Sequence, residues 1–345
     1  VRPIARFVTD KYLTGMGAWI DGLPQSSDSS AVHVLLDNVW AGFGSVPTDA
    51  HLLIATTKGG IDMLEPLRRG TAANVPDLDN AALLQTISAR FGLAGRGSNI
   101  NAACASSTIA VAHGAAMIAA GDVDAVLVVC FDLLTEFVFS GFSALQALDP
   151  QPSRPFDKDR KGLSLGEGAA ALLLMSEERA VREGRASLGT ILGWGVANDA
   201  NHITAPARDG CGLIQAVNNA LKRATVAPQA ISGISAHGTG TVYNDLMELV
   251  AFEQVFPHGP PPLNSIKGAL GHTLGAAGGI EVVLGLRSLA SGQLLPTVGL
   301  QNPEERAVGL VSSDVQLLSD GLLLSTNSGF GGINAALILE KGGAA

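Results

Sequence analysis

Gly168-Ala-Ala-Ala-Leu-Leu-Leu-Met175 and Ile333-Asn-Ala-Ala-Leu-Ile-Leu-Glu340 are apolar runs of nearly the same composition, each preceded by a glycine-rich turn. Short runs without polar alternation predict strands covered on both faces. What precedes each run repeats as well. Cys104 opens a small-residue stretch, 105–120, that ends at Gly121, and His272 opens a similar one, 273–291, that ends at Gly292. A periodic stretch closed by glycine reads as a helix with its C-terminal stop. The echo predicts a duplicated α/β architecture, residues 1–188 and 189–345, with one reactive side chain at a helix start in each half. Alanine and leucine are common residues, and chance repetition is the competing reading.

The remaining sequence has the same texture. Apolar runs such as 125–130 alternate with helix-like stretches such as 80–91 and 212–224, while 51–60, 149–168 and 198–210 read as loops. With 47% apolar and 15% charged residues and 42 glycines in 345 positions, much of the chain must be interior and tightly turned. The net charge of -9 offers no electrostatic footprint for nucleic acid or an anionic membrane. Residues 100–120 carry no Asp, Glu, Lys or Arg, which is the length of a membrane span. Asn101, Ser106, Ser107 and His113 would need partners inside a bilayer, so a buried helix is expected there instead. No signal segment is read at the start. Three widely spaced cysteines, Cys104, Cys130 and Cys211, form no CxxC pair, which argues against a disulfide framework or a metal site and favours a reducing, cytoplasmic setting.

A few residues stand out as chemistry. Cys104, in Asn101-Ala-Ala-Cys-Ala-Ser-Ser107, would place its sulfur at a helix start, where the partial positive charge favours thiolate. Taken alone, it reads rather as an inert core cysteine, as Cys130 does within Val126-Leu-Val-Val-Cys130. His237 follows an apolar run, 231–236, and enters the turn His237-Gly-Thr-Gly-Thr241 from a strand end. His272 lies among glycines and alanines in Gly268-Ala-Leu-Gly-His-Thr-Leu-Gly-Ala-Ala-Gly278, five residues after Lys267. Asn327-Ser-Gly-Phe-Gly-Gly-Ile-Asn334 sets Phe330 between Gly329 and Gly331, a turn able to aim backbone N–H groups at an oxygen, or an ordinary turn with a core ring. Gly162-Leu-Ser-Leu-Gly166 formally matches a serine nucleophile elbow, but Ser164 follows a charged segment and precedes a strand-like run, the reverse of what that motif requires.

Together these segments resemble the β-ketoacyl-acyl carrier protein synthases, in the elongating branch that carries Cys, His and His. Ser153-Arg-Pro-Phe-Asp-Lys-Asp-Arg160, Leu165-Gly-Glu-Gly-Ala169, Asn198-Asp-Ala-Asn-His-Ile-Thr-Ala-Pro206 and Asn244-Asp245 with Glu248 extend the match, in order, from about Thr57 onward. The resemblance implies a thiolase-like fold of two similar halves in α-β-α-β-α layers, and a dimer, homotypic or with a related subunit. It implies that Cys104 takes an acyl chain from an acyl carrier protein. His237 and His272 would act on malonyl-carrier protein, with Lys267 supporting His272. The N–H groups of Cys104 and Phe330 would form an oxyanion hole, and Phe330 would gate the acyl pocket. Thr239 and Thr241 would contact the phosphopantetheine arm, which arrives on the carrier protein, so that no resident cofactor is needed; Gly329 and Gly331 would border the substrate.

No cysteine follows Cys211, unlike degradative thiolases, and His272 stands where the initiating synthases have Asn. The first fifty residues lack the usual strand and Thr-Gly-x-Gly opening, Arg96 replaces a common Pro, and Ser328 replaces a frequent Phe. Two rivals are a non-catalytic partner subunit of the chain-length-factor kind, which typically lacks the nucleophile, and a thioesterase or acyltransferase, which would not need the second histidine.

Overall fold

The computed structural model describes residues 1–26, 28–71, 75–94 and 97–342, with only the backbone of Val75. Arg96 and residues 343–345 lie outside the described residues. The first half runs β1 (Arg2–Pro3), β2 (Met16–Ala18), α1 (Val32–Trp40), β3 (His51–Ala55), α2 (Leu64–Arg68), α3 (Asn80–Arg90), β4 (Ser98–Ile100), α4 (Ser106–Ala119) and β5 (Ala125–Asp132). It continues through α5 (Glu136–Ala144), β6 (Leu165–Gly166), β7 (Gly168–Met175) and α6 (Glu177–Arg182). The second half runs β8 (Gly189–Asn198), α7 (Cys211–Ala224), β9 (Ile231–Ser235), α8 (Val242–Val255), β10 (Leu263–Asn264), α9 (Lys267–Leu270) and α10 (Ala277–Ser291). A two-residue ribbon, β11 (Gln293–Leu294) with β12 (Gln316–Leu317), precedes β13 (Leu322–Gly329) and β14 (Ile333–Lys341).

The sequence echo is a topological repeat. One sheet has the order β4-β3-β5-β7 and the other β10-β9-β13-β14-β8. In each, the first three strands are parallel and the fourth is antiparallel. Helices α4 and α10 occupy the same place, between the second and third strand in chain order, and the near-copy runs are the equivalent strands β7 and β14. The second half adds β8 beside β14, whereas no described strand lies beyond β7, in keeping with an opening that lacks the usual strand motif.

Three apolar clusters stack the layers. Helices α1 and α3 cover one sheet, α7 and α8 cover the other, and α4 with α10 fills the space between the sheets. The outer helices are amphipathic: in α7 the buried Leu213, Ala216, Val217, Ala220 and Leu221 recur at helical spacing. A buried leucine of this kind contributes about 1.5–3 kcal/mol. The inner helices touch neighbours all round, which explains their small residues. A Cβ on Gly278 would lie 1.9 Å from Thr108 Oγ1, so α10 meets α4 at backbone distance. Residues 100–120 are thus a core segment. Leu274–Ser291 is apolar and long enough by composition to cross a membrane, yet 61% of it is buried between the layers.

Two readings of the sequence need correction. His51–Ala55 is not a loop but the central strand β3; its unbroken Leu-Leu-Ile-Ala run has no alternation because both faces are covered, and the loop begins only at Thr56. His272 is also not at the start of α10. A 3-10 turn, Leu274–Ala276, with Leu274 at φ 54°, separates the two.

Candidate active site

Cys104 sits on a sharp turn between β4 and α4. Ala103 takes φ 50°, a left-handed conformation that a β-carbon disfavours, and the turn is held by Ser106. The Ser106 hydroxyl donates to Ala103 O (2.6 Å) and accepts from Ala102 N (2.9 Å). The strand-turn-helix elbow that the Gly162–Gly166 segment mimics in sequence is therefore built at Cys104. Ser164 instead accepts from Ser153 N at 3.0 Å, and its carbonyl accepts from His272 N at 2.7 Å. Gly166 N donates to His272 O at 2.9 Å, so Ser164 and Gly166, on either side of Leu165, clamp the His272 backbone.

His237 leaves the end of β9 in a turn shaped by Gly238 (φ 37°) and Gly240 (φ 83°). Two carboxylates from α8 gather its N–H groups. Glu248 accepts from His237 N and Gly238 N, both at 2.7 Å, and Asp245 accepts from Thr239 N (3.0 Å) and Gly240 N (3.1 Å). Burial together with Asp245 pushes the Glu248 carboxyl up to about 8. Asp245 also accepts from Phe156 N at 2.8 Å, which ties the 153–160 motif to this turn.

The two imidazoles meet edge to face, with ring centroids 5.2 Å apart at 84°. His237 Nδ1 and both ring nitrogens of His272 have no hydrogen-bond partner among the described residues. Burial, then the charge of Lys267, holds both rings well below the ordinary imidazole range, so both are neutral at pH 7. Lys267, 1% exposed, donates to His237 O at 2.6 Å and to the Glu281 carboxylate. Glu281 in turn accepts from Asn327 Nδ2 at 2.5 Å. The ammonium, whose role by resemblance is to support His272, thus bonds directly to the His237 strand end.

The Phe330 turn closes the site. Its N–H acts to lower the Cys104 thiol, and a Cβ on Gly329 would lie 3.2 Å from Cys104 N. Gly331, at φ 86°, donates its N–H to Ile203 O (2.8 Å) and accepts from Asn198 Nδ2 (2.8 Å), so the 198–206 motif anchors the turn. Ser328, in place of an aromatic ring, donates to Asn334 Oδ1 at 2.7 Å. The Phe330 ring stacks on Phe142 of α5, 5.8 Å between centroids. Thr239 and Thr241 pair with each other through their hydroxyls, 2.9 Å apart, at the start of α8.

The expected thiolate is not what the environment favours. Burial pushes the Cys104 thiol up to about 12, while Lys267 and the Phe330 N–H act in the opposite direction. Desolvation outweighs the helix-start effect, because Cys104 is only 6% exposed. Sequence reading gave no role to Asp132 or Glu281. Asp132 ends β5 and gathers Thr56 Oγ1 (2.8 Å), Thr57 N (3.1 Å) and Gly275 N (2.7 Å), joining the loop after β3 to the turn after His272. Each is an acid within an otherwise apolar stretch, a visible signal whose partners lie far away in sequence.

Two equivalent α/β halves sharing an inner helix layer, with reactive groups brought to one place from both, define the thiolase-like fold. Residues 39–180 match the family described as Beta-ketoacyl synthase, N-terminal domain, and residues 188–301 match Beta-ketoacyl synthase, C-terminal domain. The chain is 35% identical over 266 residues to the 3-oxoacyl-[acyl-carrier-protein] synthase 2 of Rhizobium meliloti, covering 74% of this chain and 63% of that one. It is 32% identical over 304 residues to the Vibrio cholerae protein of the same name, covering 82% and 73%. Among solved structures, it resembles the ishigamide ketosynthase/chain length factor at 28% identity and a TM-score of 0.86, covering 99% of this chain and 92% of that one. A ketosynthase in complex with its chain length factor from Xenorhabdus doucetiae matches at 27% identity and a TM-score of 0.76, covering 94% and 86%. The chain belongs to the β-ketoacyl synthase family.

Proposed function

We propose that this protein is a condensing acyltransferase, a β-ketoacyl-acyl carrier protein synthase of fatty acid or polyketide synthesis. The observation that carries the reading is a buried thiol on a strained elbow beside two neutral imidazoles, with His237 Nδ1 and both ring nitrogens of His272 free of hydrogen-bond partners among the described residues. Hydrolysis needs one base and admitted water; decarboxylation to an enolate needs two neutral N–H donors in a dry site.

In the proposed reaction, the Cys104 sulfur takes the acyl group from a carrier-protein thioester. One carbon–sulfur bond forms as another breaks, and the thiol proton leaves with the departing pantetheine sulfur. Thr239 and Thr241 contact the arm that delivers it. Malonyl-carrier protein then loses carbon dioxide, and the electron pair of that bond becomes an enolate whose oxygen accepts from His237 and His272. The enolate carbon attacks the Cys104 thioester. The N–H groups of Cys104 and Phe330 hold the oxyanion, and its collapse expels the cysteine sulfur. Gly329 keeps the Phe330 turn against the Cys104 backbone, and Gly331 shapes it. No resident cofactor takes part, because the pantetheine belongs to the carrier protein.

We place the chain in the cytoplasm, where its three cysteines stay reduced, and as a dimer, either of this chain or with a related subunit. The domain boundary proposed at residues 188 and 189 falls just before β8, the first strand of the second repeat. Two features favour dimerisation: the free edge of β4 among the described residues, and the solved relatives that pair a ketosynthase with a chain length factor. The test is mass spectrometry of wild type and Cys104→Ala after incubation with acyl-carrier proteins and then malonyl-carrier protein. Acyl mass on Cys104 that moves into a β-ketoacyl product supports the reading. Absence of loading from every donor overturns it in favour of a non-catalytic partner subunit.

A further inference from the structure

The segment before residue 21 is not a loose lead-in. It forms a strap across the side of the molecule where α5 and β6 emerge. Strand β2 pairs with β6, Gly17 opposite Leu165 and Ala18 opposite Gly166, and Glu167 N donates to Ala18 O at 3.1 Å. Arg6 pairs with the buried Glu167 at 2.6 Å. The same carboxylate accepts from Ile20 N (2.7 Å) and from Leu134 N (3.0 Å), the second only two residues before α5.

The strap then grips α5 itself. The rings of Phe7 and Tyr12 pack on Phe139, with centroids 5.5 and 5.2 Å away. At the first turn of the helix, Tyr12 Oη donates to Glu136 at 3.1 Å, and Lys11 pairs with the same carboxylate at 2.5 Å. Phe139 lies one helical turn from Phe142, so the two share a face. Phe142 is the ring stacked on Phe330. Aromatic contacts therefore run from Phe7 and Tyr12 to Phe139 and from Phe142 to Phe330, with one turn of α5 joining the two, and the Phe330 turn lies against the Cys104 backbone.

We propose that Phe7 and Tyr12 are positioning residues that set acyl-chain selectivity: they fix α5 so that the Phe142–Phe330 stack limits which acyl group reaches Cys104. This assignment rests on the condensing reading above. Neither residue touches His237, His272 or Lys267, so malonyl decarboxylation does not depend on them. Freeing Phe139 lets Phe142 and Phe330 retreat and admits longer chains.

The experiment measures Cys104 acylation rates with butanoyl-, octanoyl- and hexadecanoyl-carrier protein for wild type, Tyr12→Ala, Phe7→Ala and Tyr12→Phe, with malonyl decarboxylation measured alongside. Tyr12→Ala and Phe7→Ala are expected to raise the long-to-short rate ratio about five-fold, the scale one aromatic contact controls. Tyr12→Phe, which keeps the ring, is expected to retain the wild-type ratio, and decarboxylation is expected to be unchanged in all three. A uniform slowing of every donor, an unchanged ratio, or the same shift in Tyr12→Phe overturns the positioning role. A wild-type protein that loads no donor overturns the condensing reading itself, and this assignment falls with it.

Discussion

Glu281→Gln removes the carboxylate that holds the Lys267 ammonium, and both residues are only 1% exposed. Breaking a buried pair from one side leaves an uncompensated charge, which costs about 3–5 kcal/mol. Unfolding entropy near 2.1 cal/mol/K per residue over 345 residues gives ~0.7 kcal/mol/K, so the midpoint of thermal unfolding should fall by about 4–7 °C. Lys267→Met should cost less, because burial already raises the Glu281 carboxyl and it can take a proton once the ammonium is gone. The double variant Lys267→Met/Glu281→Gln removes both charges and should recover most of the loss. Calorimetry of the four proteins at pH 7 gives the coupling energy directly. A Glu281→Gln midpoint within a degree of wild type, or a double variant as unstable as the worse single one, would refute the view that this pair is held together by the cost of separating it.

Three further outcomes are expected. Gly278→Ala should destabilise by about 1–3 kcal/mol, since its Cβ meets Thr108 Oγ1 and α4 cannot withdraw without disturbing both sheets; urea denaturation measures this, and a neutral result would contradict the close approach. With both imidazoles held well below 6.5, malonyl decarboxylation should stay flat as pH falls from 8 through 6.5. Carbon dioxide release across that range checks it, and a loss centred on 6.5 would mean that at least one ring titrates normally. Glu248, raised to about 8 by burial, contributes stability that is full below the ordinary glutamate range and is lost as pH rises through about 8. Chemical denaturation at pH 5 and 9 should therefore show a smaller decline for Glu248→Gln than for wild type, and equal declines would remove Glu248 as the cause.

Much of the fold was legible because it depends on local pattern. The duplicated apolar runs became β7 and β14, the small-residue stretches became α4 and α10, and the ordered motifs identified the family. His51–Ala55 was misread because a strand buried on both faces loses its period of two, leaving only length and flanking residues to mark it. The polar residues that follow it weighed more heavily in the sequence than they do in the structure.

The candidate site divides along the same line. The reactive groups can be named from the chain's order of residues: one cysteine at a turn, two histidines in glycine-rich surroundings, one nearby lysine and one ring among glycines. Their protonation and their partners follow from the folded arrangement. Burial is a sum over residues distant in the chain, so it alone set the Cys104 thiol high and the two imidazoles low. Lys267 found Glu281, and Asp132 found Thr56 and Gly275, through contacts between elements that no local spacing encodes. The first twenty residues, which match no familiar opening, acquired a place only when folding laid Phe7 and Tyr12 on Phe139, because an aromatic contact is defined by where two segments meet and not by either segment alone.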